Sequence, residues 1–228
     1  MIKGIIFDLD NTLLDFVKMK EVAVDSAVTA MIDAGLDMKK EEAKEKIYWI
    51  YDEQGIEFQE VFDQLLMETY GAINYRILSA GVVAYRRARE AALVLYPHVT
   101  YTLTQLIKQG YKLAVLSDAP GKQAWLRLSY LNLHHFFDTV ITFDDTGERK
   151  PSTIPFQKAL DVMELASEQV LMVGDWPERD MVGAKKLGIR TVFARYGDTF
   201  DTKNSGANYD IDDISELLTI VKELSDGG

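Results

Sequence analysis

The amino-acid sequence predicts an α/β protein: a parallel sheet with helices on both faces, interrupted early by an all-helical insertion. Three observations predict it. Short apolar runs, GIIF at 4–7, KLAVL at 112–116 and VLMV at 170–173, have the length and texture of strands buried on both faces. Helical patterning separates the later runs, and strand–helix alternation implies parallel pairing. Residues from about 18 to 94, by contrast, look helical throughout and break the alternation after its first strand.

In chain order, the first strand is 4–7. Within the insertion, Ala43, Ile47, Ile50 and Tyr51 share one helical face, as do Phe58, Val61, Phe62, Leu65 and Leu66. Gly35, Gly55 and Gly71 fall where these helices end, and a long helix carrying Tyr75, Leu78, Val82 and Tyr85 closes the segment. The chain is expected to leave the α/β domain near residues 14–18 and re-enter it near 96–98, giving a core of 1–16 with 95–228 and an insert of 17–94. From Pro97 onward helices are expected over 100–109, 122–131, 153–163 and 179–187. Weaker strands are predicted at 140–142 and 191–194. Asp213-Ile-Ser-Glu216 reads as a capping box opening a last helix to about Leu224.

The totals narrow the function. With 228 residues, 47% hydrophobic and 27% charged, the composition is that of an ordinary soluble globular protein with room for one core and a smaller insert. No apolar run approaches the length of a membrane span. Asp8 and Asp10 interrupt the one apolar stretch near the N-terminus, so it is not expected to act as a secretion signal, and a cytoplasmic location is expected. The absence of cysteine excludes disulfides, thiolate nucleophiles and cysteine metal sites. Three histidines, His98, His134 and His135, leave little for a histidine-built zinc centre. Any metal would therefore be held by oxygen, which points to magnesium, calcium or manganese. A net charge of −11 argues against nucleic acid and anionic membranes as partners.

In an open parallel sheet ligands bind beyond the carboxyl ends of the strands, and the residues there are informative. The first strand ends in Asp8 and Asp10, with Thr12 close behind; KLAVL ends in Ser117 and Asp118. VLMVG is followed by Asp175, with Asp180 further along GDWPERD. Lys150 sits in ERKPS, ahead of a helix whose start is marked by Pro151 and Pro155. Each residue alone has an ordinary explanation as a turn, cap or surface group. Their arrival together on successive strand ends does not.

These four stretches, DLDNT at 8–12, Ser117, Lys150 before a proline, and GDWPERD at 174–180, resemble in order the motifs of the haloacid dehalogenase superfamily of phosphohydrolases. The resemblance spans the whole chain, because the insert falls where that family carries a helical cap. It implies a Rossmann-like core and a magnesium-dependent hydrolase of small phosphorylated metabolites. In the implied chemistry Asp8 attacks phosphorus to form an aspartyl-phosphate, and Asp10 protonates the leaving alkoxide and then deprotonates water. The cation would be held by Asp8, Asp175 and the Asp10 backbone carbonyl, with Asp180 acting through water or on Asp175. Ser117, Asp118 and Lys150 would bind the phosphate, and Lys150 would also hold Asp8 ready. Thr12 would steady the loop carrying Asp10 and belongs to the same phosphate-binding group. The insert would close as a lid, with Lys18, Lys20, Arg86, Arg87 and Arg89 as cations that could meet substrate.

Other readings fit less well. Dehalogenation needs neither a metal nor the second aspartate, so Asp10 and the GDWPERD acids argue for phosphorus. A phosphosugar mutase shares all four motifs and differs in the cap. Phosphonate cleavage would require a cap lysine forming a Schiff base. A non-enzymatic binding module would be expected to lose Asp8 or Asp10, and both are present. No G-x-x-x-x-G-K-[ST], G-x-G-x-x-G or G-x-S-x-G stretch supports a nucleotide switch or a serine hydrolase.

Overall fold

A computed structural model describes residues 1–226. The chain forms two compact units, one of residues 16–94 and one joining residues 1–15 to those from 95 onward.

The first of these is entirely helical: α1 (Phe16–Asp33), α2 (Lys40–Gln54), α3 (Val61–Tyr70) and α4 (Tyr75–Ala92). Each helix turns a stripe of apolar residues inward. Val24, Ala27, Val28 and Met31 of α1 meet Ala43, Ile47, Ile50 and Tyr51 of α2 and Val61, Phe62, Leu65 and Leu66 of α3 in one buried cluster. Leu78, Val82 and Tyr85 of α4 pack against it as the periodicity predicts, but Tyr75 is 73% exposed. It opens α4 directly after the cap Asn74, whose Oδ1 accepts from the Arg76 and Ile77 amides at 3.1 and 3.4 Å. Two residues on, Ile77 is the first side chain of α4 to enter the bundle, on a face of the helix that Tyr75 does not share.

The second unit is built on a six-stranded parallel sheet: β1 (Gly4–Phe7), β2 (Lys112–Leu116), β3 (Thr139–Ile141), β4 (Val170–Gly174), β5 (Arg190–Ala194) and β6 (Tyr209–Ile211). Its order is β3-β2-β1-β4-β5-β6. The chain builds outward from β1 through β2 and β3, then returns to β4 on the other side, so the topological switch lies between β1 and β4. Central strands are buried throughout: all four residues of β1 and all five of β4. The helices are α5 (Val99–Lys108), α6 (Gly121–Tyr130), α7 (Phe143–Thr146), α8 (Thr153–Met163), α9 (Val182–Lys185) and α10 (Leu217–Asp226). Phe156, Ala159, Leu160 and Met163 of α8 cover Ile6, Ala114, Leu116 and Met172. The capping box is formed: Glu216 Oε1 accepts from the Asp213 amide at 2.9 Å and Asp213 Oδ1 from that of Ser215 at 2.8 Å. It first caps a 3-10 turn, Ile214–Glu216, which runs into α10.

Three elements differ from expectation, the first being α7, a single turn too short to carry helical periodicity. β6 does not stand out in the sequence, because a three-residue edge strand with Asp210 at its centre carries almost no apolar signal. The helix expected over 179–187 is a π-helical turn, Pro177–Met181, followed by the short α9. Arg179 and Asp180 both direct their amides to the Trp176 carbonyl, at 3.0 and 2.8 Å, and the widened turn brings Asp180 inside. Where the chain leaves and re-enters this unit, Leu14 and Leu95 form an antiparallel bridge and the Tyr96 amide donates to the Leu13 carbonyl at 3.1 Å.

Candidate active site

The polar strand ends converge at the switch point. Asp8 follows β1 and Asp175 follows β4, and because these strands are paired in register the two carboxylates flank one crevice. Asp180 reaches them from the π-turn. One oxygen from each of Asp8, Asp175 and Asp180 lies within 4.8 Å of the others, and all three residues are buried. Gly174 is what lets Asp180 approach, since a Cβ there would stand 2.3 Å from its Oδ2. The Asp180 Oδ2 accepts the Trp176 amide at 3.1 Å.

Lys150 supplies the counter-charge. Its ammonium, 5% exposed, pairs with Asp180 Oδ1 at 2.7 Å, donates to Asp8 Oδ1 and donates to the Leu116 carbonyl at 3.2 Å. Thr12, fully buried, donates to Asp175 Oδ1 at 3.2 Å and stands 3.5 Å from Asp8 Oδ2. The loop holding Thr12 is fixed from behind: the Tyr196 hydroxyl donates to the Thr12 carbonyl at 2.8 Å. Asn11 adopts φ 58°, a left-handed conformation that asparagine tolerates well. Gly197 lies so close to this loop that a Cβ would fall 1.7 Å from the Asn11 carbonyl oxygen.

Ser117 ends β2 with its amide on the Ile141 carbonyl at 2.9 Å, and its Oγ accepts from the Ala119 amide at 3.2 Å. Asp118 spends its carboxylate elsewhere. Its Oδ1 accepts from the Lys150 amide at 2.9 Å and its Oδ2 pairs with Arg179 at 3.2 Å. Asp10 stands outside the three-acid group, with Oδ2 on Arg127 Nη1 at 2.8 Å. Lys20, named above as a cation that could meet substrate, is buried within the helical unit, where Nζ donates to the Ile56 carbonyl at 2.8 Å and lies 4.0 Å from the Tyr51 ring centroid.

Electrostatics follow from packing three acids around one base. Burial raises the Asp8 carboxyl above its ordinary value against the pull of Lys150. Burial pushes Asp175 well up, with Asp8 and Asp180 adding to it. Asp180 is raised to about 6, again chiefly by burial. Burial disfavours the Lys150 charge, but Asp180, Asp8 and Asp118 outweigh it and hold the ammonium protonated. The group thus carries excess negative charge that a divalent cation would relieve, and its all-oxygen donors suit a hard ion.

Sequence reading missed Arg127, Tyr196 and Gly197. Only Arg127 had a signal: it shares the buried face of α6 with Ala124 and Leu128, a place where a charge is costly unless paired.

An acidic strand end beside a buried lysine and two further acids, at the switch point of a parallel sheet, is the arrangement that the comparison with known proteins places in a family. The chain belongs to the haloacid dehalogenase-like hydrolase family, whose model matches residues 5–194. It is 37% identical to the glyceraldehyde 3-phosphate phosphatase of Methanocaldococcus jannaschii over 98% of this chain and 99% of that protein. The protein of the same description from Methanothermobacter thermautotrophicus is 32% identical over 97% of this chain and 100% of its own. Among solved structures, a HAD phosphatase from Thermococcus onnurineus superposes with a TM-score of 0.74 at 24% identity, covering 96% of this chain and 98% of that one, which supports the shared fold. With phosphatases matching nearly end to end, the chain is a phosphatase-type enzyme of this family. Among the described residues no helix is long and apolar enough to cross a membrane.

Proposed function

We propose that the protein hydrolyses small phosphate monoesters with magnesium, through an aspartyl-phosphate on Asp8, and that glyceraldehyde 3-phosphate is the first substrate to test. The observation carrying this reading is the buried junction in which Lys150 meets both Asp8 and Asp180 while Asp175 completes the three-acid group. The substrate suggestion comes from the two archaeal relatives.

Lys150 holds Oδ1 of the Asp8 carboxylate, which leaves its other oxygen for attack with little freedom left to lose. Attack forms the Asp8 oxygen–phosphorus bond as the ester oxygen departs, and Asp10 gives that oxygen its proton. Water then attacks the phosphorus, Asp10 takes the water's proton, and Asp8 leaves as carboxylate with inorganic phosphate released. Ser117 Oγ and the Lys150 ammonium neutralise and orient the phosphoryl oxygens. The Asp118 carboxylate, committed to the Lys150 amide and Arg179, instead fixes the loops on which these groups sit. Asp8, Asp175 and Asp180 would hold the cation, with the Asp10 carbonyl as a further donor; when bound, it supplies the positive charge that the transferring phosphoryl group requires. The inserted helices, residues 16–94, serve as the cap that selects substrate.

The test is phosphate release from glyceraldehyde 3-phosphate and a panel of phosphorylated metabolites, with magnesium. Turnover should appear for at least one, and Asp8→Asn should abolish both turnover and the phosphoenzyme seen by mass spectrometry of the quenched protein. A phosphoenzyme retained in Asp8→Asn would overturn the nucleophile assignment.

A further inference from the structure

Arg127 has no part in the chemistry set out above, yet its position is demanding. It sits on the inward face of α6 between Ala124 and Leu128 and is 7% exposed. Desolvating a guanidinium is costly, and it persists inside a fold only where its donors meet well-placed acceptors. Here Nη1 lies 2.8 Å from Asp10 Oδ2, and the side chains of the two residues are only 8% and 22% exposed. Asp10 arrives from the loop after β1 and Arg127 from the helix after β2, so the pairing ties together segments that follow two neighbouring strands.

A general acid–base has to present one oxygen to the ester bridge and then to water, and a carboxyl turning freely about its Cβ–Cγ bond does so only part of the time. We propose that Arg127 is a positioning residue: by tying Oδ2 it fixes the rotation of the Asp10 carboxyl, as the third member of a catalytic triad fixes the base. The arrangement rests on the assignment of Asp10 as the proton-transfer group. Arginine suits this task because its rigid planar fork sets a direction as well as a charge, which lysine does not.

The experiment compares Arg127→Met, Arg127→Lys, Asp10→Asn and the Asp10→Asn/Arg127→Met double variant on two substrates, glyceraldehyde 3-phosphate and 4-nitrophenyl phosphate. An alkoxide needs a proton to depart and a nitrophenolate does not. Arg127→Met should lower kcat for the alkyl ester roughly tenfold to a hundredfold, part of the 10²–10⁴ that general acid–base catalysis supplies, and for the aryl ester by no more than about threefold. KM should stay within about twofold for both, and Arg127→Lys should fall between Met and the parent. The double variant should be no slower than Asp10→Asn alone, because the two residues act as one unit. Equal losses on the two esters for Arg127→Met, or a further loss on top of Asp10→Asn, would show that Arg127 only supports the fold. Equal losses for Asp10→Asn itself would overturn the acid–base role of Asp10. If the methionine variant does not fold, the lysine variant is read by the same criterion: a loss confined to the alkyl ester supports the positioning role, and an equal loss on both refutes it.

Discussion

Replacing Lys150 by methionine should expose how much negative charge the site holds. The substitution keeps the volume and deletes the cation that pairs with Asp8 and Asp180. Breaking a buried pair by removing one partner costs about 3–5 kcal/mol, because the other partner is left charged and desolvated. A second route gives a similar figure. Without the ammonium, the folded variant should keep at least one extra proton on the three acids, whose folded pKa values burial already raises. Retaining one proton more than the unfolded chain over the three units from pH 5 to pH 8 costs about 4 kcal/mol. The sign is fixed by the direction of the shift. An acid whose pKa is raised on folding contributes stability that is full at low pH and is lost as pH rises through the folded value. In the parent, Asp180 loses its contribution between about pH 4 and about pH 6; in the variant the loss should continue toward pH 8. For a chain of this size ~4 kcal/mol corresponds to a fall in Tm of roughly 8–16 °C. The assay is thermal unfolding of parent and Lys150→Met in chelator at pH 5 and pH 8, then in magnesium. The deficit should be large at pH 8, no more than about half as large at pH 5, and reduced by magnesium. An equal deficit at both pH values would refute the charge argument and make Lys150 a packing residue.

Three further outcomes are expected. Ser117→Ala should slow turnover and weaken phosphate binding by roughly tenfold to a hundredfold, the value of one hydrogen bond to a charged group, measured by kcat and by inhibition with inorganic phosphate. Gly197→Ala should fail to hold the Asn11–Thr12 loop in place, since its Cβ would overlap the Asn11 carbonyl at 1.7 Å; a parent-like Tm and kcat would contradict that contact. Exhaustive chelation should abolish hydrolysis and magnesium should restore it, whereas full activity without divalent cations would disconnect the three-acid group from catalysis.

Much of the site was legible because its signals are local. A strand that is apolar to Phe7 and then turns acidic announces both the strand and the crevice at its end, and the same holds for Leu116 to Ser117 and Val173 to Asp175. Helical periodicity from 43 to 66 likewise reports the insert, since each residue's burial there follows from its own angle around a helix axis. The order in which the strands assemble is not local. Only the return of β4 to the side of β1 away from β2 brings Asp175 against Asp8, and only the widened turn after Pro177 carries Asp180 inward to Lys150. The pairing of Asp10 with Arg127, 117 residues apart, and the backbone approach of Gly197 to Asn11 depend on neighbours that no periodicity encodes. The sequence by itself determined which residues end the strands; the tertiary structure decided which of them meet, because ion pairing and close approach depend on distances that exist only once the sheet is assembled.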